Sequence, residues 1–533
     1  MAGLGKSAIA QSVAEQLEMD GRLAASFFFS RGKPGRNEIK YLFTTLAYQL
    51  TIYIPALKAP ILDAIARDAS ILDKNPLRQF QMLIVDPLSK AKSEHLPMAV
   101  VLDAIDECQN EESAADIISL ITELQTKSYL PVRFFLTSRP DPHILAKITS
   151  HQVSRMTHIL ALQDVDVEDD IRVFLRHRFD EIHKKGTVMQ SVDLPWPSPP
   201  NFESLVQKSS GLFVYAATVM NFLDDRNAHP VRRLEMILEV QASTSAPAYA
   251  ALDQLYIQIL TTAPNIKSLR DILGVILTLF DPLAIGDLEV LLMMKSGEVL
   301  FALTGLHSII FIPTDKSQSI AIFHESLRDF LTDARRSGRY FIDLPQYHGY
   351  IARHCLEFIA AYFSLISSAT SFSWASGYAF GYWASHLRQA PFDAQLFRAL
   401  EEIANKSLIY WIEALSYDYH LDGALKSLQS ANLWISSHNN QWRMFRVSLV
   451  LKGSFAGVVL ISIRMQGSGS MDHQIRIWRL LELFQEAERF IIASQSRAVY
   501  KLGLGDWTDF RQKSRKPWRV ALRYVSDSPY SLT

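Results

Sequence analysis

Near its start the chain reads Ala2-Gly3-Leu4-Gly5-Lys6-Ser7, followed by Ala8-Ile9-Ala10-Gln11-Ser12-Val13-Ala14-Glu15-Gln16-Leu17. The first six residues are the second half of a phosphate-binding loop, G-x-x-x-x-G-K-[ST]. Gly3 and Gly5 carry no Cβ, so successive backbone N–H groups can converge on phosphate oxygens. Lys6 has the reach for β- and γ-phosphates, and Ser7 offers a hydroxyl ligand to Mg²⁺. The run that follows is helical in pattern and aims its N-terminal dipole at the same place. Gly3, Leu4, Gly5, Lys6, Ser7 and Ala8 are therefore the candidate nucleotide-binding residues. The first glycine of the motif would fall one residue before Met1, and the apolar strand that feeds such a loop is not in the sequence. Because the residues present are intact, the expectation is an N-terminally incomplete chain rather than a degenerate site.

A second stretch, Met98-Ala99-Val100-Val101-Leu102-Asp103-Ala104-Ile105-Asp106-Glu107, runs from five apolar residues into acids. That is the pattern of a parallel strand buried on both faces and ending at a carboxylate. Alone, it reads rather as a core strand followed by a solvated loop. Lying about a hundred residues after Gly-Leu-Gly-Lys-Ser, it reads as the acidic partner of that loop. Asp103 is the candidate Mg²⁺ ligand, directly or through water. Asp106 and Glu107 extend into the site, and Glu107 is the better placed to orient or activate a water. A further strand, Val132-Arg133-Phe134-Phe135-Leu136-Thr137, delivers Ser138-Arg139-Pro140 to its carboxyl end, where ligands bind in open α/β sheets. Arg139 is the candidate cation for the γ-phosphate. Strands are also expected at residues 22–29 and 158–162.

In this order and spacing, Gly3-Leu4-Gly5-Lys6-Ser7, Val100-Val101-Leu102-Asp103-Ala104-Ile105-Asp106-Glu107 and Phe135-Leu136-Thr137-Ser138-Arg139-Pro140 resemble the NACHT family of signal-transduction NTPases. The wording is similar to fungal NACHT proteins of the STAND class. The resemblance implies a five-stranded parallel sheet with the loop strand near its middle, and a small helical domain over the nucleotide. Phe323-His324-Glu325-Ser326-Leu327 also resembles the winged-helix histidine motif of these receptors. By itself His324 reads as a core histidine capping a helix. Carried over from the family, it would contact ADP phosphate and latch a resting state.

The 533 residues are 48% hydrophobic and 20% charged, and the net charge is −1, so no global field favours nucleic acid or an anionic membrane. Two cysteines are too few for a disulfide framework and fit a reducing compartment. The apolar stretch at 453–463 falls short of the about 20 residues a membrane span needs. The expected architecture is an α/β P-loop NTPase domain, its first strand missing, at 1–162, followed by mostly helical domains. These are a small helical domain at 163–245, a winged-helix-like domain at 246–344, a helical bundle at 345–440 and an extension at 441–533. Residues 194–200, with closely spaced prolines, read as a stiff linker. His348 and His386 lack the acid or cysteine spacing of a metal site and read as packing. Residues 467–478 echo a single WD-repeat strand, and one copy cannot make a propeller. The basic tail at 511–519 reads as a solvated segment, and no Lys/Arg cluster marks a recognition helix, so a nucleic-acid partner is not expected.

The function that follows is a cytoplasmic nucleotide-binding switch, with ADP at rest and ATP or GTP with Mg²⁺ driving self-association. An effector domain upstream and a repeat domain downstream are the implied neighbours, and slow hydrolysis would reset the switch. The family suggests fungal non-self recognition or cell-death signalling. The competing reading is a truncated, non-catalytic helical scaffold.

Overall fold

The computed structural model describes residues 3–31, 35–90, 98–108, 111–127, 132–185, 188–225, 229–239, 249–315, 317–365, 374–417, 421–439, 448–451 and 461–464. Of the extension at 441–533, only the strands Ser448–Leu451 and Ile461–Arg464, paired antiparallel, fall within these. The segments 467–478 and 511–519 lie outside the described residues, as does most of 453–463. Among the described residues no helix is long and apolar enough to cross a membrane.

Three parallel strands form the N-terminal sheet in the order β1 (Leu23–Phe28), β2 (Met98–Asp103), β3 (Val132–Leu136). The central strand β2 is buried almost throughout, as its unbroken apolar run requires. Helix α1 (Lys6–Met19) covers one face of the sheet, burying Ala10 and Ala14 with Leu23 and Val101. The other face carries the larger core. There helix Ile39–Tyr53 turns Leu42, Phe43, Leu46, Ala47 and Leu50 inward at helical spacing. The outer edge of β1 is closed by one side chain of that helix. Gln49 accepts from the Ser26 N–H at 2.7 Å and donates to the Ser26 carbonyl at 2.9 Å. The helix that begins at Pro76 runs on to Lys90 through a π-helical turn at Gln81–Val85.

Two expectations are corrected. Residues 158–161 form no strand, and Ile159 and Leu160 are exposed. An extended segment becomes a strand only when a neighbour takes its N–H and C=O groups, and among the described residues β3 pairs with β2 alone. The sheet accordingly has three described strands rather than the four expected once the loop strand is missing. Residues 194–200 are also no spacer, because Trp196 packs edge-on against Phe179 at 5.1 Å and joins the helical core.

Between Glu168 and Asn439 the described residues are mostly helical, and one apolar cluster joins Leu4 to residues from Ile171 to Ile435. Within it, helices Ala250–Thr261, Ile266–Thr278, Ile285–Leu291 and Glu298–Ala302 precede a hairpin of β4 (Ile310–Phe311) and β5 (Ala321–Ile322). His324 then caps helix Glu325–Leu331. Five further helices between Leu344 and Asn439 bury Trp383 against Trp411, whose indole N–H donates to the Phe380 carbonyl at 3.1 Å. His348 and His386 meet here, Nδ1 to Nδ1 at 2.8 Å, and among the described residues no metal cluster forms around them.

Burial holds His324, His348 and His354 neutral down to about pH 4, and His386 lower still. The unfolded chain protonates these rings near pH 6.5, so their contribution to folded stability is complete above that value. It falls as pH drops from 6.5 to 4, by on the order of 1 kcal/mol per pH unit for each histidine. Urea unfolding midpoints across that range should fall steeply, whereas a flat profile would contradict the buried neutral rings.

Candidate functional site

The phosphate loop is built from two left-handed glycines, Gly3 and Gly5, both at φ 87°. Gly5 is the N-cap of α1, and its carbonyl accepts from the Ile9 N–H at 3.0 Å. Gly3 is fixed from the other side, because the Val214 N–H donates to its carbonyl at 3.2 Å. A Cβ on Gly3 would stand 2.3 Å from Val214 Cγ1 and 3.9 Å from His324 Cε1. Leu4, between the glycines, is buried in the helical core rather than in the sheet core. The loop is thus clasped between α1 and the helical part of the chain.

The acids arrive from β2. Asp103, at its carboxyl end, is buried and accepts from the Thr137 hydroxyl, which in turn accepts from the Ala104 N–H at 2.9 Å. Ala104 adopts a left-handed conformation at φ 55°, ψ 49°, a position that only a small or polar residue tolerates cheaply. That turn swings Asp106 and Glu107 toward Lys6. Burial lowers the Lys6 pKa, while the charges of Asp106, Asp103 and Glu107 oppose the shift. Glu107 is pushed up to about 7, first by burial and then by the negative charges of Glu325 and Asp106. A carboxyl balanced near neutrality can accept a proton from water in the way a general base must.

Arg139 spans the gap to the helical part. Its backbone N–H donates to Asp106 Oδ1 at 3.0 Å, and its guanidinium contacts Asp106 at 3.3 Å and Asp329 at 2.8 Å. His324 lies beside it. The Ser326 N–H donates to His324 Nδ1 at 3.0 Å, which assigns the ring proton to Nε2. Burial, with the cations Arg139 and Lys6 nearby, holds this ring neutral to about pH 4. The capping role and the place in the site coexist in one residue.

All these groups share one cavity of about 640 Å³, lined by Gly3, Gly5, Lys6, Ser7 and Ala8, by Asp103, Asp106, Glu107 and Arg139, and by His324. The structure thus brings together every sequence-predicted site residue except the Leu4 side chain. The donor set fits a phosphate and a divalent cation: a cradle that a Cβ would fill, a lysine, a hydroxyl and a carboxylate. Arg31, Glu325 and Asp329 went unread in the sequence; the first two line the cavity, and Asp329 reaches Arg139 from beside it. Arg31 donates its backbone N–H to Glu107 at 3.3 Å and its guanidinium to the Asp106 carbonyl at 3.0 Å. Glu325 lies 3.1 Å from Arg328 Nε, close enough for an ion pair but off the direction of a hydrogen bond. Asp329 is one turn beyond Glu325. The four-residue spacing of these two acids after His324 was the available signal, since it sets both on one helix face.

Residues 1–139 match the family model of the N-terminal domain of nephrocystin 3, which belongs to NACHT-containing proteins. The matched stretch includes the loop, the β2 acids and Arg139. No curated protein matches the chain at a significant level.

Gly3→Ala should force the loop off Val214, because its Cβ is excluded by contact and its φ is unfavourable to any L-residue. The expected loss is about 1–3 kcal/mol in thermal or urea unfolding. Adding Val214→Ala should restore part of it. A Gly3→Ala protein as stable as wild type would contradict the clasp.

Proposed function

We propose that the chain is a nucleotide-binding signalling switch of NACHT type. In this reading ADP stabilises the resting arrangement, and ATP or GTP drives self-association. The observation that carries the reading is the meeting of Gly3–Ser7, Asp103, Glu107 and Arg139 from the sheet with His324 from the helical part, around one cavity. Helices 266–302 with the β4–β5 hairpin would act as the winged helix, and residues 1–162 as the NTPase domain.

Lys6 and the loop N–H groups would hold the phosphates, and Ser7 with Asp103 would hold Mg²⁺. The bound metal would neutralise phosphate charge. His324, neutral with its proton on Nε2, is a donor suited to a phosphate oxygen without adding charge. Glu107 would orient a water and take its proton. Arg139 is now committed to Asp106 and Asp329. A terminal phosphate is a strong competitor for a guanidinium. Releasing Asp329 would free helix Glu325–Leu331 from the sheet, which is the opening step of the switch. A fungal setting, a role in non-self recognition or cell death, and a cytoplasmic location belong to this proposal on the strength of the motif resemblance.

The test is ADP and labelled-ATP binding by the purified chain, with Lys6→Ala as control. Wild-type binding that is lost in the variant supports the switch. Absence of binding by folded wild type would overturn it and favour a helical scaffold. If ATP is turned over, the rate should rise with pH through about 7 as Glu107 ionises. Glu107→Gln should keep binding and slow turnover by roughly 100-fold or more. An unchanged rate would remove Glu107 from the chemistry.

A further inference from the structure

One wall of the cavity comes from the turn that leaves helix Ile266–Thr278, where Leu279, Pro282 and Leu283 line it. The two residues between, Phe280 and Asp281, are held by the downstream helical bundle. The Phe280 N–H donates to the Tyr378 hydroxyl at 3.1 Å, and the Tyr382 hydroxyl donates to Asp281. The Phe280 ring stacks on Tyr382 at 5.6 Å and sits 4.6 Å from the His386 ring and 5.7 Å from that of His348.

Behind Tyr378 the hydrogen bonds form a chain with one consistent direction. Tyr378 accepts from Phe280, so its own proton goes to His386 Nε2 at 2.7 Å. The His386 proton is then on Nδ1 and is donated to His348 Nδ1 at 2.8 Å. Each member is neutral and has its partner, which makes the chain stiff. The groups facing it are the buried Cys355 thiol beside Tyr378, Asp281 at Tyr382, and Arg328 at His348. The Arg328 guanidinium donates to the Leu277 carbonyl at the end of the same helix. The turn is thus gripped from two elements that are distant in sequence from it.

We propose that Tyr378, Tyr382 and the His386–His348 pair are positioning residues for the nucleoside di- or triphosphate cavity. They fix the 279–283 wall, so that order in the bundle sets nucleotide affinity. The affinity half of this rests on the nucleotide reading above, and the wall-fixing half does not. A partner or domain that strains the bundle would reach the ligand through this turn, without touching the phosphate loop.

Backbone hydrogen exchange and ADP titration on the full chain test the proposal, comparing wild type with Tyr378→Phe, Tyr382→Phe and Trp434→Phe. The last variant loses the bond from its indole N–H to the Ala390 carbonyl and alters a ring stacked on Phe392, elsewhere in the bundle. In Tyr378→Phe, exchange in residues 276–284 should quicken roughly tenfold while residues 394–406 keep their wild-type rates. The ADP dissociation constant should rise by about five- to tenfold. Tyr382→Phe should act the same way more weakly, and it serves if Tyr378→Phe does not fold. Trp434→Phe should lower the melting temperature and leave both readouts unchanged. Wild-type exchange at 276–284 in both tyrosine variants overturns the proposal, as does a Trp434→Phe effect equal to that of Tyr378→Phe. Should wild type bind no ADP, the nucleotide reading fails, and exchange still decides whether the tyrosines hold the turn.

Discussion

The Arg139 guanidinium, held between Asp106 and Asp329, is the contact on which the relation of sheet to helices depends. Asp106 is almost wholly buried, and a carboxylate taken from water needs a cationic partner. Arg139 supplies that cation from the neighbouring strand and has donors to spare for a second acid. Asp329 takes them from a point 190 residues further along the chain. Around this bridge stand Arg31, Arg328, Glu107 and Glu325, so the boundary is a layered set of opposed charges rather than an apolar seam. Such a boundary parts more readily than a hydrocarbon core, because water can replace each partner. That is the property a moving joint needs.

The phosphate loop carries two duties at once. Its backbone makes the cradle, while Leu4 contributes to the helical core and the Gly3 carbonyl binds the Val214 N–H. Any shift of helix Phe213–Leu223 must therefore move the cradle.

Much of this was legible beforehand, because the chemistry sits in short local patterns. Gly3–Ser7, the acids after Val101–Leu102, and Arg139 after an apolar strand each declare themselves within ten residues, and parallel pairing of β2 with β3 then sets the acids beside Arg139. Residues 158–162 had the composition of a strand and are not one, since a strand also needs a neighbour that composition does not reveal. Trp196 broke the reading of its proline-rich stretch in the same way, because a half-buried aromatic packed on the helical core outweighed local stiffness. The grip of Tyr378 on Phe280 spans 98 positions and leaves no periodic trace. Long-range polar contacts of this kind are decided by topology, and only the folded chain displays them.

The Gln49 amide, bonded both ways to Ser26, stands where the next strand beyond β1 would lie. It makes the sheet asymmetric: the β1 border is capped at Ser26 by a side chain, whereas among the described residues no further strand pairs with β3. The border without that cap is the one that leads into Arg139. A strand arriving there would lie against the very element that holds the interdomain bridge, so enlargement of the sheet and the setting of the joint are mechanically tied.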